Sequence, residues 1–139
     1  MHSLDSSSTH LSIRVYYEDT DAAGVVYYAN YLKYCERART EWLRTLGYAQ
    51  QELRESRGRV FVVHTVAAEY LRSAQLDDLL DVETRIAELG RVKLVFAQRV
   101  LRGDQILFEA QVGVVCVDWN TRKPVSIPSD LRSLMESPQ

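Results

Sequence analysis

The chain predicts an α+β fold, an antiparallel sheet of about five strands wrapped around one long central helix. Three observations carry that expectation. Helical periodicity holds from Tyr28 to Leu46, enough for roughly five turns. Four stretches rich in β-branched and apolar residues follow one another between Val60 and Val117. The last of these are joined by connections too short for a crossover helix, so consecutive strands run antiparallel.

Each element has its own justification. Residues 1–10 are polar and serine-rich and read as a mobile tail, ahead of a single domain over 11–139. Leu11 to Tyr17 reads as the first strand, with Leu11, Ile13 and Val15 on one face. Glu18 to Gly24 is too acidic and too small for strand interior and reads as a tight loop. In the long helix Tyr31, Cys35, Ala38, Trp42 and Leu46 recur at steps of three or four, and Gly47 is a natural left-handed stop. Tyr48 to Arg57 suits a short second helix. Strands are expected over Val60–Leu71, Asp81–Glu88, Lys93–Arg102 and Gln105–Val117. Gly103-Asp104 marks a hairpin between the last two. Ile106, Phe108, Ala110, Val112, Val114 and Cys116 are expected on one face. Ser129 would cap a short helix through Leu134.

Composition excludes several classes. With 46% hydrophobic and 26% charged residues among 139, the chain is neither disordered, collagen-like nor membrane-spanning. A net charge of -2 gives no reason to expect a nucleic-acid partner or an anionic membrane surface. Two cysteines, Cys35 and Cys116, make no disulfide framework and no cysteine-based zinc site, and they suit a reducing compartment. Met1 to His10 lacks a basic run followed by an apolar stretch, so a cytoplasmic location is expected.

Common catalytic signatures are missing. There is no phosphate-cradling glycine loop and no nucleophile elbow. His2 and His10 fall in the tail, and His64 sits inside a predicted strand, where a packed or hydrogen-bonded histidine is the ordinary reading. The cysteines occupy apolar positions typical of inert thiols. The unusual segment runs from Tyr16 to Arg39. It holds Glu18, Asp19 and Asp21 in a short loop, then Ala22-Ala23-Gly24, then an apolar-aromatic entry into the long helix. A helix start offers unpaired N–H groups and a positive dipole end, where an oxyanion is held. A carboxylate nearby can attack a carbonyl or activate water. An Asx turn or a helix cap is the competing reading of the same spacing.

This segment resembles the hotdog-fold acyl-CoA thioesterases of the 4-hydroxybenzoyl-CoA thioesterase type, and within them the Tol–Pal-associated YbgC branch. The resemblance rests on Tyr17-Glu18-Asp19-Thr20-Asp21, Gly24-Val25-Val26-Tyr27, Asn30-Tyr31-Leu32 and Glu36-Arg37-Ala38-Arg39. Further matches lie at Phe61-Val62-Val63, Glu69-Tyr70, Leu76-Asp77-Asp78 and Val114 to Asp118, so nearly the whole chain is covered. It implies a hotdog fold and hydrolysis of acyl-CoA or acyl-carrier-protein thioesters. It implies Asp21 as the catalytic carboxylate, either nucleophile or general base. The backbone N–H of Tyr28 would be the oxyanion donor, and Tyr17 the aromatic beside the carboxylate. Where the branch carries His after Val-Val-Tyr, this chain has Tyr28, so only the amide is carried over. Arg91 and Lys93 are the candidates for coenzyme A phosphates, with Arg59, Arg72, Arg122 and Lys123 behind them. A carboxylate with an oxyanion site needs no metal or organic cofactor for this chemistry. The resemblance also implies a homo-oligomer, a tetramer built from dimers, and a partner role toward acyl carrier protein at the inner membrane face. A hotdog hydratase or a non-catalytic scaffold are the rival readings; a hydratase needs a partner histidine, which only His64 could supply.

Overall fold

The computed structural model describes residues 8–136. Strand β1 (Thr9–Arg14) leads through a short 3-10 turn (Tyr17–Asp19) and a loop into helix α1 (Asn30–Thr45). Helix α2 (Gln50–Arg57) follows, then strands β2 (Arg59–Tyr70), β3 (Leu79–Leu89), β4 (Lys93–Arg102) and β5 (Gln105–Asp118), and helix α3 (Ser129–Glu136). The five strands form one sheet in the order β1-β3-β4-β5-β2, and every neighbouring pair is antiparallel.

The core lies between α1 and one face of this sheet. Tyr31, Tyr34, Cys35, Ala38, Trp42 and Leu43 are the buried stripe of α1, while Lys33, Arg37, Glu41 and Arg44 stay exposed. The stripe faces Val82, Leu94, Phe96, Val100, Phe108, Ala110, Val112 and Val114 of the sheet. Trp42 meets Phe96 edge-on at 4.9 Å. Burial of each such large side chain contributes roughly 1.5–3 kcal/mol. One polar pair crosses the interface: Gln98 donates to the Cys35 carbonyl at 3.0 Å and accepts from Arg39 at 2.9 Å. Gly47 ends α1 at φ 91, as its position predicts. Asp130 of α3 ties the helices together by accepting from Arg57 at 2.7 Å and Tyr48 at 2.6 Å.

Three details differ from the sequence expectation. Strand β1 begins at Thr9, so His10 lies in it and pairs with Asp81 at 2.8 Å; the part of the tail reading that covers residues 1–7, with His2, lies outside the described residues. The strand also stops at Arg14 instead of Tyr17, because the Asp19 carboxylate accepts the Tyr16 N–H at 2.9 Å and winds the next residues into the 3-10 turn. In β5, Leu101 pairs with Ile106 but Val100 pairs with Phe108, so Leu107 is an extra residue. That bulge buries Leu107 and Phe108 together and leaves Ile106 only half-buried, off the expected face.

Strand β2 is an edge of the sheet. His64 is the extra residue of a bulge at its middle, since Val63 pairs with Val114 and Thr65 with Gly113. Val62, Val63, Val66 and Tyr70 of this strand are exposed by 40% or more.

Candidate active site

The acidic loop folds into a miniature ladder. Thr20 bridges Val26. The Asp21 N–H donates to Val25 at 2.9 Å, and Gly24, at φ 82, donates back to the Asp21 carbonyl at 3.0 Å. Asp21 therefore sits at the tip of the turn. One oxygen of its carboxylate accepts the Ala23 N–H at 2.9 Å. The Asx turn is real, and it fixes the carboxylate by one oxygen while the other has no partner among the described residues. Asp21 is exposed in the isolated chain.

The base of the ladder is the start of α1. Tyr27 N–H donates to the Asp19 carbonyl at 2.9 Å. Asp19 and Asp21 are two strand steps apart, roughly 7 Å. The first turn then closes by i to i−3 bonds: Asn30 N–H to Tyr27, Tyr31 N–H to Tyr28 and Leu32 N–H to Ala29. Between them, the N–H groups of Tyr28 and Ala29 have no acceptor among the described residues. The helix has no side-chain cap and no acidic residue in its first turn. Its positive end is thus left unneutralised beside the loop that carries Asp21.

The loop rests on a second support that the sequence reading did not assign. Val26 N–H donates to Ala74 at 2.8 Å, and Ala74 N–H donates to the Tyr31 hydroxyl at 2.9 Å. Tyr31 in turn stacks on Phe108 at 5.1 Å. Burial pushes its phenol above the ordinary range. Asp78 fixes the same 74–78 turn: it accepts from the Gln75 N–H at 2.9 Å and from Arg102 at 2.8 Å. Burial alone would raise the Asp78 carboxyl, but those two donors outweigh it and hold the group below its usual value. Tyr70 completes an aromatic wall, meeting Tyr28 at 6.0 Å, Tyr31 at 5.7 Å and Phe108 at 4.9 Å. Beneath Asp19, the Tyr34 hydroxyl is buried and makes no hydrogen bond of good geometry. Burial first, and the Asp19 carboxylate second, push its phenol far up, so it stays protonated.

The other expected residues divide by position. Tyr28 is 61% exposed and its ring packs on Tyr27 at 4.8 Å. Tyr17 is 82% exposed, and no hydrogen bond joins it to Asp21. It lines a surface trough with Leu76 and Asp77 instead. Arg91 and Lys93 stand in the β3–β4 turn and at the start of β4. Lys93 pairs with Val115, whereas Tyr70 pairs with Phe108. Seven strand steps separate those partners, roughly 23 Å. Within one chain, then, Arg91 and Lys93 lie at the end of the sheet away from Asp21, and Arg91 donates to Ser126 at 2.7 Å. Arg59 donates to the Ser126 carbonyl at 3.1 Å, and Arg122 lies over Trp119 at 4.2 Å. Of the six basic candidates, Arg72 shares the Asp21 end, directly after β2, where its N–H donates to Leu107 at 3.0 Å.

The histidine and cysteine readings resolve as well. His64 is exposed on the edge-strand bulge and has no hydrogen bond among the described residues, so within one chain it is neither packed nor hydrogen-bonded as expected. Cys35 and Cys116 are buried, and burial pushes their thiols up to about 12 and about 11. Both are neutral and unreactive near pH 7. No helix among the described residues is long and apolar enough to cross a membrane.

Comparison with known proteins places this geometry. A Thioesterase-like superfamily model matches residues 15–134. The acyl-CoA thioesterase YbgC of Haemophilus influenzae is 50% identical over 121 residues, covering 87% of this chain and 89% of that protein. A probable thioesterase from Bartonella henselae superposes with a TM-score of 0.83 at 35% identity, over 87% of this chain and 99% of that one. The 4-hydroxybenzoyl CoA thioesterase of Pseudomonas sp. strain CBS-3 superposes with a TM-score of 0.85 at 26% identity, over 92% and 99%. The hotdog architecture, the match over most of the chain and the identity to these relatives agree, and the chain belongs to the thioesterase-like family.

Proposed function

We propose that the protein hydrolyses acyl thioesters of coenzyme A or acyl carrier protein to the free acid and the thiol, with Asp21 as the catalytic carboxylate. One observation carries this reading: an uncapped helix start presents two unpartnered amides at the base of the same loop that holds Asp21 at its tip. The thioester oxygen would accept from the Tyr28 amide. As a general base, Asp21 takes a proton from water while the water oxygen bonds to the carbonyl carbon. The tetrahedral intermediate then collapses, the C–S bond breaks, and the proton passes to the departing sulfur. As a nucleophile, Asp21 would form a mixed anhydride and release the thiolate, and water would then cleave the anhydride. The products are the same.

The active unit in this reading is a homo-oligomer, a tetramer assembled from dimers. Its support is the unpaired edge of β2 and the exposed Val62, Val63, Val66 and Tyr70 along it. Antiparallel pairing of β2 with a second copy would set the partner's β2 start beside Tyr70. It would also carry the partner's Arg91 and Lys93 toward the site, where coenzyme A phosphates need cations.

A thiol-release assay over acyl-CoA and acyl-carrier-protein substrates tests the reading. Asp21→Asn should lose about a thousandfold or more in kcat. A folded Asp21→Asn variant with unchanged turnover would remove Asp21 from the mechanism.

A further inference from the structure

Resting on the site proposed above, we propose that Asn30 is a positioning residue, which aims the amides of Tyr28 and Ala29 by clamping the helix start to the Asp19 carbonyl. The Asn30 side-chain amide donates to that carbonyl oxygen at 2.8 Å, across eleven residues of chain. The same oxygen accepts the Tyr27 N–H at 2.9 Å. A carbonyl has two lone pairs, and both are taken from the segment that enters α1. The clamp closes a small ring through Tyr27, Tyr28, Ala29 and Asn30. Within residues 27–32 the backbone N–H groups of 27, 30, 31 and 32 all have acceptors. The two that remain are those inside the ring. Their direction is therefore set by how Tyr27 and Asn30 are held, by the Asn30 N–H on the Tyr27 carbonyl at 2.9 Å and by the Asp19 oxygen that both residues share.

The other end of the clamp is the carboxylate loop. Asp19 lies two residues before Asp21 on the same arm of the ladder, and its side chain is itself fixed by the Tyr16 N–H at 2.9 Å. Asn30 thus adds a half-buried side-chain bond to the backbone bond of Tyr27, and the two together couple the oxyanion donors to the loop of the reacting carboxylate. The residue type supports a role beyond helix formation. Asn is a mediocre helix former, and an acidic side chain in the first turn would interact better with the dipole. Only a donor can serve the carbonyl, and Asp has none.

Asn30→Asp and Asn30→Ala separate positioning from simple support. In Asn30→Asp the dipole favours the new charge and offsets the lost hydrogen bond, so the melting temperature should stay close to wild type. The lost donor and the facing oxygens should let the ring relax. A displacement on the order of 1 Å costs up to about a hundredfold. The expected result is a fall in kcat of about 10- to 100-fold for both variants, with KM within about threefold of wild type. A kcat within about threefold of wild type in either variant overturns the proposal. So does a loss of activity that appears as raised KM, or one that follows a fall in melting temperature in both. Asp21→Asn assayed in parallel keeps the two claims apart. If Asp21→Asn is inactive while the Asn30 variants are active, the clamp alone fails. If Asp21→Asn is fully active, the site itself is wrong.

Discussion

Replacing Tyr28 by proline deletes the one hydrogen that the proposed mechanism asks of this residue. The substitution breaks no hydrogen bond in the folded chain, because the Tyr28 N–H has no acceptor among the described residues. It does remove the phenol, which packs on Tyr27 and Tyr70. Tyr28→Ala removes the same ring and keeps the N–H, so the ratio of the two variants isolates the amide. Loss of a single oxyanion donor costs about 10²- to 10³-fold in kcat, or about 2.7–4 kcal/mol. Here a second free amide, that of Ala29, stands next in the chain and can take part of the charge. The loss should therefore fall at the lower end, about a hundredfold relative to Tyr28→Ala. The assay is thiol release under saturating substrate, with melting curves to show that both variants are folded. Equal turnover in the proline and alanine variants would refute the assignment of the oxyanion to this amide.

Two further outcomes follow from the scaffold. A Cβ built on Gly113 would fall well inside contact distance of the Thr65 hydroxyl, at the bulge that joins β2 to β5. Gly113→Ala should destabilise by about 1–2 kcal/mol, and Thr65→Ala should recover most of it in the double variant, read by chemical denaturation; simple additivity would show that the close approach is not the cause. The second outcome concerns pH. The folded value of Asp78 is depressed, so its stabilisation is complete above the unfolded carboxylate pKa of about 3.9 and is lost as pH falls through the lower folded value. The gap in denaturation midpoint between wild type and Asp78→Asn should be constant from neutral pH to about 5 and close in stronger acid. A gap that persists in strong acid would mean that charge is not what holds the 74–78 turn.

Most of the fold was legible because the hydrophobic pattern changes period cleanly. The 3.6-residue stripe from Tyr31 to Leu43 and the paired strands on either side of Gly103-Asp104 needed no tertiary information. The errors fall where a local competitor wins. Asp19 captures the Tyr16 amide and ends β1 early, and the bulge at Leu107 swaps the face on which Ile106 lies. In the candidate site, the tight acidic turn that carries Asp21 and its place just before the long helix were legible from residue types and spacing. The supports were not. Ala74 and Tyr70 reach the site from the far end of β2 and the turn beyond it, and no periodicity links them to the acidic loop. Arg91 and Lys93 stand at the other end of the same chain's sheet, a placement that no linear sequence states.

The bare first turn of α1 sets protein engineering against itself. An aspartate in place of Ala29 is what a designer seeking heat resistance would choose, since its charge interacts favourably with the helix dipole by about 0.3–1 kcal/mol. Aspartate would also bring a permanent negative charge to the spot where the proposed reaction would build a transient one. Libraries screened for survival at high temperature should enrich that change, and libraries screened for product should discard it.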